Sequence, residues 1–291
     1  MILIIKNRCS DQPFPSPRSV SDQDLCGPLF LSVFQVPEAL WALQRRLFRY
    51  PVQTSREYAR HRNEMSDLPY SAIVVSGDDA FDFLQAQLAT DLQLVNDTAP
   101  TLAAWCNPKG RVICLMRAIV TGDGLTLILP TELVDEVVRR LKMFRFRAKV
   151  EFTVTDASEQ QLGIRNSFEE WRLDNLHAGI PEILRAQSEE FTPHMLNLDL
   201  LDAVSVDKGC YPGQEIVART HFRGATKRRC LRFESAEPVS PGDKVSDGDR
   251  DVGEVLNAIG NDLLAVVPSD KGDEAFNAGG ITLVHLPLPY L

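Results

Sequence analysis

The most chemically distinctive part of this sequence is residues 206–215, which read Val-Asp-Lys-Gly-Cys-Tyr-Pro-Gly-Gln-Glu. Lys208 stands two residues before Cys210, and a nearby ammonium group favours the reactive thiolate form of a cysteine. We therefore take Cys210 as a candidate nucleophile or redox centre, with Lys208 as the residue that activates it. The alternative is that Cys210 is a small buried apolar side chain in a loop whose glycines only form corners.

The residues around this thiol suit the binding of a polar heterocycle. Gly209 and Gly213 allow the backbone to turn sharply and to come close to a ligand. Gln214 supplies an amide and Glu215 supplies a charged hydrogen-bond acceptor, and such groups fix the edge of a polar ring. The run therefore predicts a ligand-binding turn as well as a reactive thiol.

A basic segment follows directly. Residues 219–229 contain no acidic side chain, although the whole chain has 31 basic against 40 acidic residues and a net charge of −9. Such a concentrated positive field suits a phosphate backbone or a poly-glutamylated tail, and the alternative is an ordinary solvated face. The anion-binding residues that we predict are Arg219, Arg223, Lys227 and Arg228. His221 predicts no metal site, because no second His or Cys stands at ligand spacing.

Composition limits the classes of protein to which the chain can belong. It has 291 residues, 44% hydrophobic and 24% charged, which is typical of a folded globular protein of about two domains. The acidic balance disfavours a surface built throughout to coat nucleic acid or a membrane. No apolar run reaches the length of about twenty residues that crosses a bilayer, so we expect no membrane partner.

The cysteine spacing and the first residues bear on the compartment. None of the six cysteines forms a C-x-x-C pair, so a zinc ribbon and a thioredoxin-type motif lack their usual spacing and reduced thiols are expected. At the amino terminus Lys6 and Arg8 follow the short apolar stretch, whereas a secretory signal places its positive residues first. We expect a cytoplasmic location.

The elements that must position these residues fall into three parts. Residues 1–64 are interrupted by prolines and are predicted to be a poorly ordered extension. Residues 65–226 are predicted to form an α+β domain. Its first half contains short β-branched or apolar runs and two amphipathic helices, the second capped by Thr131, which favours an antiparallel sheet covered by helices. From about residue 171 to 224 regular periodicity is weak. Residues 227–291 alternate short strands with Gly and Asp turns, as in a small β-barrel.

The Lys-Gly-Cys-Tyr-x-Gly-Gln-Glu run closely resembles the signature of the YgfZ family of folate-binding proteins, which are relatives of the T protein (aminomethyltransferase) of the glycine cleavage system. The preceding Asn-Leu-Asp-Leu-Leu at 197–201, the Asn-Pro-Lys-Gly-Arg at 107–111, the Ala-Gly-Ile-Pro at 178–181 and the Pro-Leu-Pro-Tyr at 287–290 resemble the family as well. The resemblance covers about residues 68–291.

This resemblance implies a fold of ferredoxin-like α+β units around a folate cavity, with a C-terminal β-barrel. It implies tetrahydrofolate or a derivative as ligand, and a role in maintaining iron–sulfur enzymes, including those that thiolate tRNA. In such relatives two aromatic residues contact folate; Tyr70, where a tryptophan is expected, and Trp171 occupy their places, and core packing is the alternative for Trp171. With the turn included, the predicted cofactor-binding residues are Tyr70, Trp171, Tyr211, Gln214 and Glu215.

Three functions follow from these observations. The first is a folate-binding accessory protein that uses Cys210 in a redox or transfer step. The second is a one-carbon enzyme of T-protein type, which needs a carboxylate beside the folate nitrogen. The resemblance places that acid shortly after Gly110, but residues 111–115 contain no acid. Aminomethyl transfer is therefore disfavoured, and the sequence leaves open whether the protein is an enzyme. The third is an RNA-binding module that uses the basic segment, which the acidic total and the scarcity of nearby aromatic residues weaken.

Overall fold

A computed structural model describes residues 68–122, 124–224, 226–270 and 275–291 of the chain. The extension predicted over 1–64 lies outside these residues. The described part contains five α-helices, and no helix in these ranges combines the length and the apolar character that crossing a bilayer requires.

The first half is a five-stranded antiparallel sheet. Its strand order is β2-β3-β4-β1-β5, with α1 and α2 packed on one face. The chain runs through β1 (Tyr70–Ser76), α1 (Ala80–Gln87), β2 (Thr101–Cys106), β3 (Val112–Thr121), β4 (Gly124–Pro130), α2 (Thr131–Phe144) and β5 (Glu151–Asp156). The expected antiparallel α+β layer is therefore present. Thr131 is the first residue of α2 rather than its cap, because Pro130 takes the cap position and the Thr131 hydroxyl bonds Ser71.

The middle segment is mostly irregular but contains three helices. These are α3 (Glu159–Leu162), α4 (Phe168–His177) and α5 (Gln214–Arg223), together with a short 3-10 helix at Pro193–Leu196. The segment from 178 to 211 packs its apolar side chains, among them Leu196, Leu198 and Tyr211, on the second face of the sheet. It therefore acts as a layer between the sheet and the elements that follow.

The last part is the closed β-barrel that the spacing of strands and turns predicted. Its strand order is β10-β11-β6-β9-β8-β7. The strands are β6 (Arg228–Ser235), β7 (Lys244–Ser246), β8 (Asp251–Ile259), β9 (Asp262–Pro268), β10 (Phe276–Ala278) and β11 (Ile281–Leu286). Phe233 and Phe276 fill its interior. Leu256 and Leu264 point the other way and join the apolar cluster under the sheet, because successive strand residues face opposite sides.

Candidate functional site

A cleft lies where the sheet, α4 and the barrel meet. The space between its walls, counted out to the open solvent at its mouth, amounts to about 350 Å³. Its lining residues come from β1, β3, α4, the turn after α4, and β8: Tyr70, Arg117, Trp171, Arg172, Asn175, Leu176, Ile180, Pro181, Glu182, Asn257 and Ile259. Because separate elements supply these side chains, the cleft exists only when sheet and barrel are both folded.

One wall of the cleft is aromatic. The rings of Tyr70 and Trp171 meet edge to face with centroids 5.5 Å apart, and Phe168 stacks on Trp171 at 5.6 Å. The indole nitrogen of Trp171 donates to the carbonyl of Leu162 at 3.0 Å, which fixes the orientation of the ring. Two of the five predicted cofactor-binding residues are thus brought together, and an aromatic wall of this kind suits contact with the edge of a flat heterocycle.

The second feature of the cleft, after the aromatic wall, is the carboxylate of Glu182. It accepts a hydrogen bond from the Tyr70 hydroxyl at 2.8 Å and one from Arg172 Nη2 at 2.8 Å. Asn257 of the barrel holds the Glu182 backbone with two bonds, one in each direction, of 2.9 and 2.8 Å. The register of β8 against β9 shifts just before Asn257, and such bulges re-aim side chains near functional sites. Burial, followed by the charge of Glu182, raises the pKa of Tyr70, so its hydroxyl stays a donor.

Arg117 is the most unusual residue of the cleft, since it is a cation only 6% exposed within strand β3. Its guanidinium carbon lies 4.5 Å from the Trp171 ring centroid, and Nη2 donates to Asn175 at 2.9 Å. Its Nε has no hydrogen-bond partner among the described residues. Burial lowers the pKa of this group. A buried donor without a partner is costly, so Arg117 offers an unfilled position to a ligand acceptor or a water.

No sequence motif marks Arg117 or Glu182, and neither is among the predicted site residues. One signal was available for Arg117, because it is the single charged residue in the otherwise apolar stretch 112–120. Arginine is almost never fully buried unless it is paired, so its place in this strand is a signal. Glu182 carries no comparable local signal, since its partners Tyr70 and Asn257 lie far away in the sequence.

The ammonium group of Lys208, which its sequence position assigned to the thiol, is bonded to backbone carbonyls of another element. It is buried and donates to three backbone carbonyls, those of Gln85 at 2.5 Å, Leu88 at 2.8 Å and Thr90 at 2.9 Å. Burial lowers the pKa of Lys208 to about 8. The interpretation of Lys208 as the activator of Cys210 is therefore replaced by a structural one: the residue fastens the turn to the end of α1.

The cysteine-bearing turn presents its thiol to solvent. Cys210 is exposed, which excludes the buried apolar alternative in this structure. Tyr211 is buried in the apolar cluster, and its hydroxyl donates to Ser205 at 2.9 Å. Gln214 donates back to the Lys208 carbonyl at 3.0 Å, and Glu215 pairs with Arg219 at 2.7 Å. These side chains hold the turn and the start of α5 together.

The predicted site residues therefore fall in two places. Among the described residues that line the cleft, Tyr70 and Trp171 are present, but none comes from 208–215. The predicted cofactor-binding set implied one site formed by Trp171 and the cysteine-bearing turn. The arrangement does not match it, because Tyr211, Gln214 and Glu215 are used within the turn. Folate contact by these three residues stays a prediction without support from the geometry.

The basic segment is partly compensated by acids from elsewhere in the fold. Arg219 pairs with Glu215, and Arg229 forms two bonds of 2.6 and 3.0 Å to Asp199. The sequence run contained no acid, so these partners were not foreseen. Arg223, Lys227 and Arg228 are exposed and form no ion pair within the described ranges. Three of the four predicted anion-binding side chains are thus available to a ligand.

Comparison with known proteins gives the chain its relatives. It is 30% identical over 197 residues to an uncharacterized protein of Haemophilus influenzae, covering 56% of this chain and 70% of that one. It is 27% identical over 299 residues to the tRNA-modifying protein YgfZ of Klebsiella pneumoniae and 26% identical over 301 residues to that of Yersinia pestis. Each of these two matches covers 76% of this chain and 90% of the relative. No family model matches the chain.

A solved structure shares the fold. The glycine cleavage system aminomethyltransferase T from Bartonella henselae superposes with a TM-score of 0.58 at 12% identity, covering 76% of this chain and 84% of that one. The sheet and the terminal barrel described above are the parts of an aminomethyltransferase fold. The resemblance carried by the cysteine motif is confirmed: the chain belongs to the YgfZ family, and it has the fold of an aminomethyltransferase.

Proposed function

We propose that this protein binds a reduced folate in the cleft between sheet and barrel, and acts as an accessory protein in tRNA modification. The observation that carries the folate part is the buried Arg117, which lies over the Trp171 ring and keeps an unpaired Nε donor in a cleft that Glu182 also lines. A cation, a carboxylate and an aromatic wall in one cleft match the groups that a pterin presents.

The residues fit a tetrahydrofolate-type ring in chemical type. The pyrimidine edge of a pterin carries adjacent N–H and amino donors, and a carboxylate can accept two such bonds side by side. Glu182 would face this edge with Oε1, which has a lone pair beyond the one used by Tyr70, whereas Oε2 already accepts bonds from Nε and Nη2 of Arg172. Arg117 would donate to a ring nitrogen or carbonyl, and Trp171 would pack against the ring. Bound tetrahydrofolate supplies a carrier of one-carbon units or of reducing equivalents.

The folate proposal is tested by thermal denaturation with and without tetrahydrofolate. A ligand that binds only the folded state raises Tm, and about 100 times the Kd adds roughly 2.7 kcal/mol. We expect a shift for the parent protein, a much smaller one for Glu182→Gln, and an undiminished one for Gln214→Ala, which lies outside the cleft. The absence of any shift at saturating ligand contradicts the proposal. A shift lost in Gln214→Ala but kept in Glu182→Gln returns the site to the turn.

The accessory role is supported by the relatives named tRNA-modifying protein YgfZ and by the exposed thiol of Cys210. We propose that the thiol takes part in the maintenance of iron–sulfur enzymes, such as those that thiolate tRNA, in the cytoplasm. In cells that lack their own copy, Cys210→Ala should fold with the Tm of the parent and fail to restore thiolated tRNA. A variant that restores it fully shows that the thiol is dispensable, and one that does not fold shows a structural role.

Aminomethyl transfer is the alternative, since the fold is that of an aminomethyltransferase. Within the described cleft Glu182 is the carboxylate that lines the wall, and it is held by Tyr70 and Arg172. Residues 111–115, where the resemblance implies the catalytic acid, contain no acidic side chain. We therefore expect no methylene release from an aminomethylated carrier in the presence of tetrahydrofolate. Methylene release that is lost in Glu182→Gln would instead establish aminomethyl transfer.

A further inference from the structure

The last turn of α2 and the residues that follow it form an exposed surface that folding alone does not explain. We define it as residues 142–147, Lys-Met-Phe-Arg-Phe-Arg, and call it the Phe146 surface. All six side chains are exposed. Met143 is 55%, Phe144 41% and Phe146 87% exposed. Three large apolar side chains therefore stand together in water, flanked by three cations, outside the cleft and outside the basic segment of α5.

Two features of Phe146 are unfavourable to the folded protein. Its ring is almost completely exposed, so it contributes little through burial. Its φ is +44°, in the left-handed region, which bulky residues rarely adopt and which glycine or asparagine tolerates far better. Strained residues of this kind cluster at functional positions. An aromatic ring at a position that disfavours it points to a role in binding.

The charges around these rings are strongly one-sided. Residues 139–149 contain six basic residues and no acidic one. Arg139 and Arg140 pair with Glu136, and Lys149 pairs with Asp78. Lys142 and Arg147 form no ion pair with the part of the chain that the structure describes. Cations without partners beside open aromatic rings are the two components of a site for single-stranded nucleic acid, in which phosphates meet the cations and bases stack on the rings.

We propose that the Phe146 surface binds single-stranded RNA, with a base stacked on Phe146 and phosphates held by Lys142, Arg145 and Arg147. The choice of RNA rests on the proposed role in tRNA modification. The surface also suits RNA better than it suits a membrane or another protein. A membrane-bound helix needs an extended apolar face, and a protein interface needs a broad apolar core. One open ring between Arg145 and Arg147 is enough for a base.

A chain of contacts links this surface to the cysteine-bearing turn. Arg140, one helical turn before Phe144, pairs with Glu189 at 2.5 Å. Glu189 accepts a bond from the Asn107 side chain, also at 2.5 Å. The carbonyl oxygen of Asn107 packs directly against Gly213 at the start of α5. An RNA strand on the Phe146 surface would therefore lie on elements that also support the turn bearing Cys210.

The test is fluorescence anisotropy with a labelled oligouridine of about twelve nucleotides, a length in the range of single-strand sites. We compare the full-length parent with Phe146→Asn, with Phe222→Ala on α5, and with Phe81→Ala. Phe81 is an exposed phenylalanine between Asp79 and Asp82 and serves as the matched control. Phe146→Asn should weaken binding at least about fivefold and leave Tm equal or higher, because asparagine tolerates the left-handed backbone. Phe81→Ala should leave the affinity unchanged.

Each other outcome overturns the assignment. A lower Tm in Phe146→Asn with unchanged affinity shows that the ring is structural. Weaker binding in Phe222→Ala but not in Phe146→Asn moves the RNA to the basic segment. Binding of the parent to anionic phosphatidylserine vesicles, lost in Phe146→Asn and without affinity for the oligonucleotide, identifies a membrane surface. If the parent binds no RNA but tetrahydrofolate still raises Tm, the RNA surface fails while the folate site stands.

Discussion

At the scale of single residues, the contact between Gly213 and Asn107 is the tightest point of the cysteine-bearing turn. Gly213 has a φ of +82°, and a Cβ placed on it would lie 2.4 Å from the Asn107 carbonyl oxygen. At the other end of α5, Gly224 has a φ of +61°, and none of the described residues that surround it comes within 4 Å of a Cβ placed there. The two glycines share a left-handed backbone and differ in the space around them.

We predict that alanine substitutions separate these two effects. Gly224→Ala should lower the free energy of unfolding by about 1 kcal/mol, the cost of a positive φ alone. Gly213→Ala should lower it by about 3 kcal/mol or more, because the methyl group must also displace backbone. Urea denaturation measures both values. Equal decreases in the free energy of unfolding would show that the backbone at Asn107 shifts without cost to accommodate the methyl group.

Lys208 is the second residue whose contacts imply a measurable effect. Replacing it by methionine keeps the apolar stem but leaves three carbonyls at the end of α1 without their donor. We expect Lys208→Met to lower the free energy of unfolding by about 2 kcal/mol. The exposed Lys109 provides the control, since Lys109→Met should change stability by less than about 0.5 kcal/mol. If Lys208→Met is as stable as Lys109→Met, then the bonds from Lys208 to the end of α1 do not stabilise the protein.

At the scale of elements, the short 3-10 helix at Pro193–Leu196 packs a neutral histidine against α5. His194 is 2% exposed, and neither of its ring nitrogens has a hydrogen-bond partner among the described residues. Burial lowers the pKa of His194; Asp199 opposes this shift, whereas Arg229 and His221 reinforce it. The ring of His221 on α5 lies 6.1 Å away. Protonation of His194 would place a poorly solvated charge between these two elements.

This arrangement predicts a loss of stability in mild acid. Below pH about 6.5 the unfolded chain binds a proton at His194 that the folded protein resists. The free energy of unfolding should therefore fall as pH drops from about 6.5, by up to roughly 1.4 kcal/mol per pH unit. His194→Phe should reduce this slope, and His285→Asn, at an exposed site, should not. Urea titrations between pH 7 and 5 provide the comparison, and an unchanged slope in His194→Phe rules the residue out.

The elements also show where sequence reasoning succeeds. The strands of the sheet and most of the barrel were predicted, because β-branched runs between Gly and Asp turns leave few other conformations. Helix α5 was not predicted, since it starts after Gly213 without a side-chain cap. Helix α4 buries only Leu176 and lacks a clear apolar face, and β10 has three residues. Weak local patterns of this kind acquire their structure from packing.

The residues of the candidate site also fall into a predicted and an unpredicted group. The aromatic pair Tyr70 and Trp171 came from the family resemblance, and the structure brings both into the cleft. Arg117 and Glu182 were not predicted, because the distances that join them to Trp171 and Tyr70 depend on tertiary packing. The motif residue Asp199 is explained by its pair with Arg229 of the barrel. Part of the family signature therefore serves the fold rather than the ligand.

At the scale of the whole molecule, sheet and barrel share one apolar cluster. Leu102 and Leu115 of the sheet pack in it with Leu176 of α4 and with Leu264 and Val266 of the barrel. Opening either part would expose the apolar surface of the other, which makes independent unfolding costly. The cleft, which draws on both parts, depends on the same cluster.

We therefore predict a single unfolding transition in urea for the sheet and the barrel. Trp105 is buried in the sheet and reports its unfolding by fluorescence. Hydrogen exchange of peptides from β9 reports the barrel, in which the sequence places no tryptophan. The two midpoints should coincide within error, as in a two-state transition. Separate midpoints would show that the barrel is stable without the sheet.

The uneven exposure of the thiols has a practical consequence. Of the four cysteines that the structure describes, Cys210 faces solvent, whereas Cys106, Cys114 and Cys230 are enclosed. Burial raises the pKa of Cys106 and Cys230 to about 12, which suppresses their nucleophilicity. In a Cys9→Ser, Cys26→Ser background, a maleimide dye would attach at one place in the native protein and at four places after denaturation. The chain thus supplies its own spectroscopic attachment point, and the stoichiometry of labelling measures the fraction of molecules that remain intact.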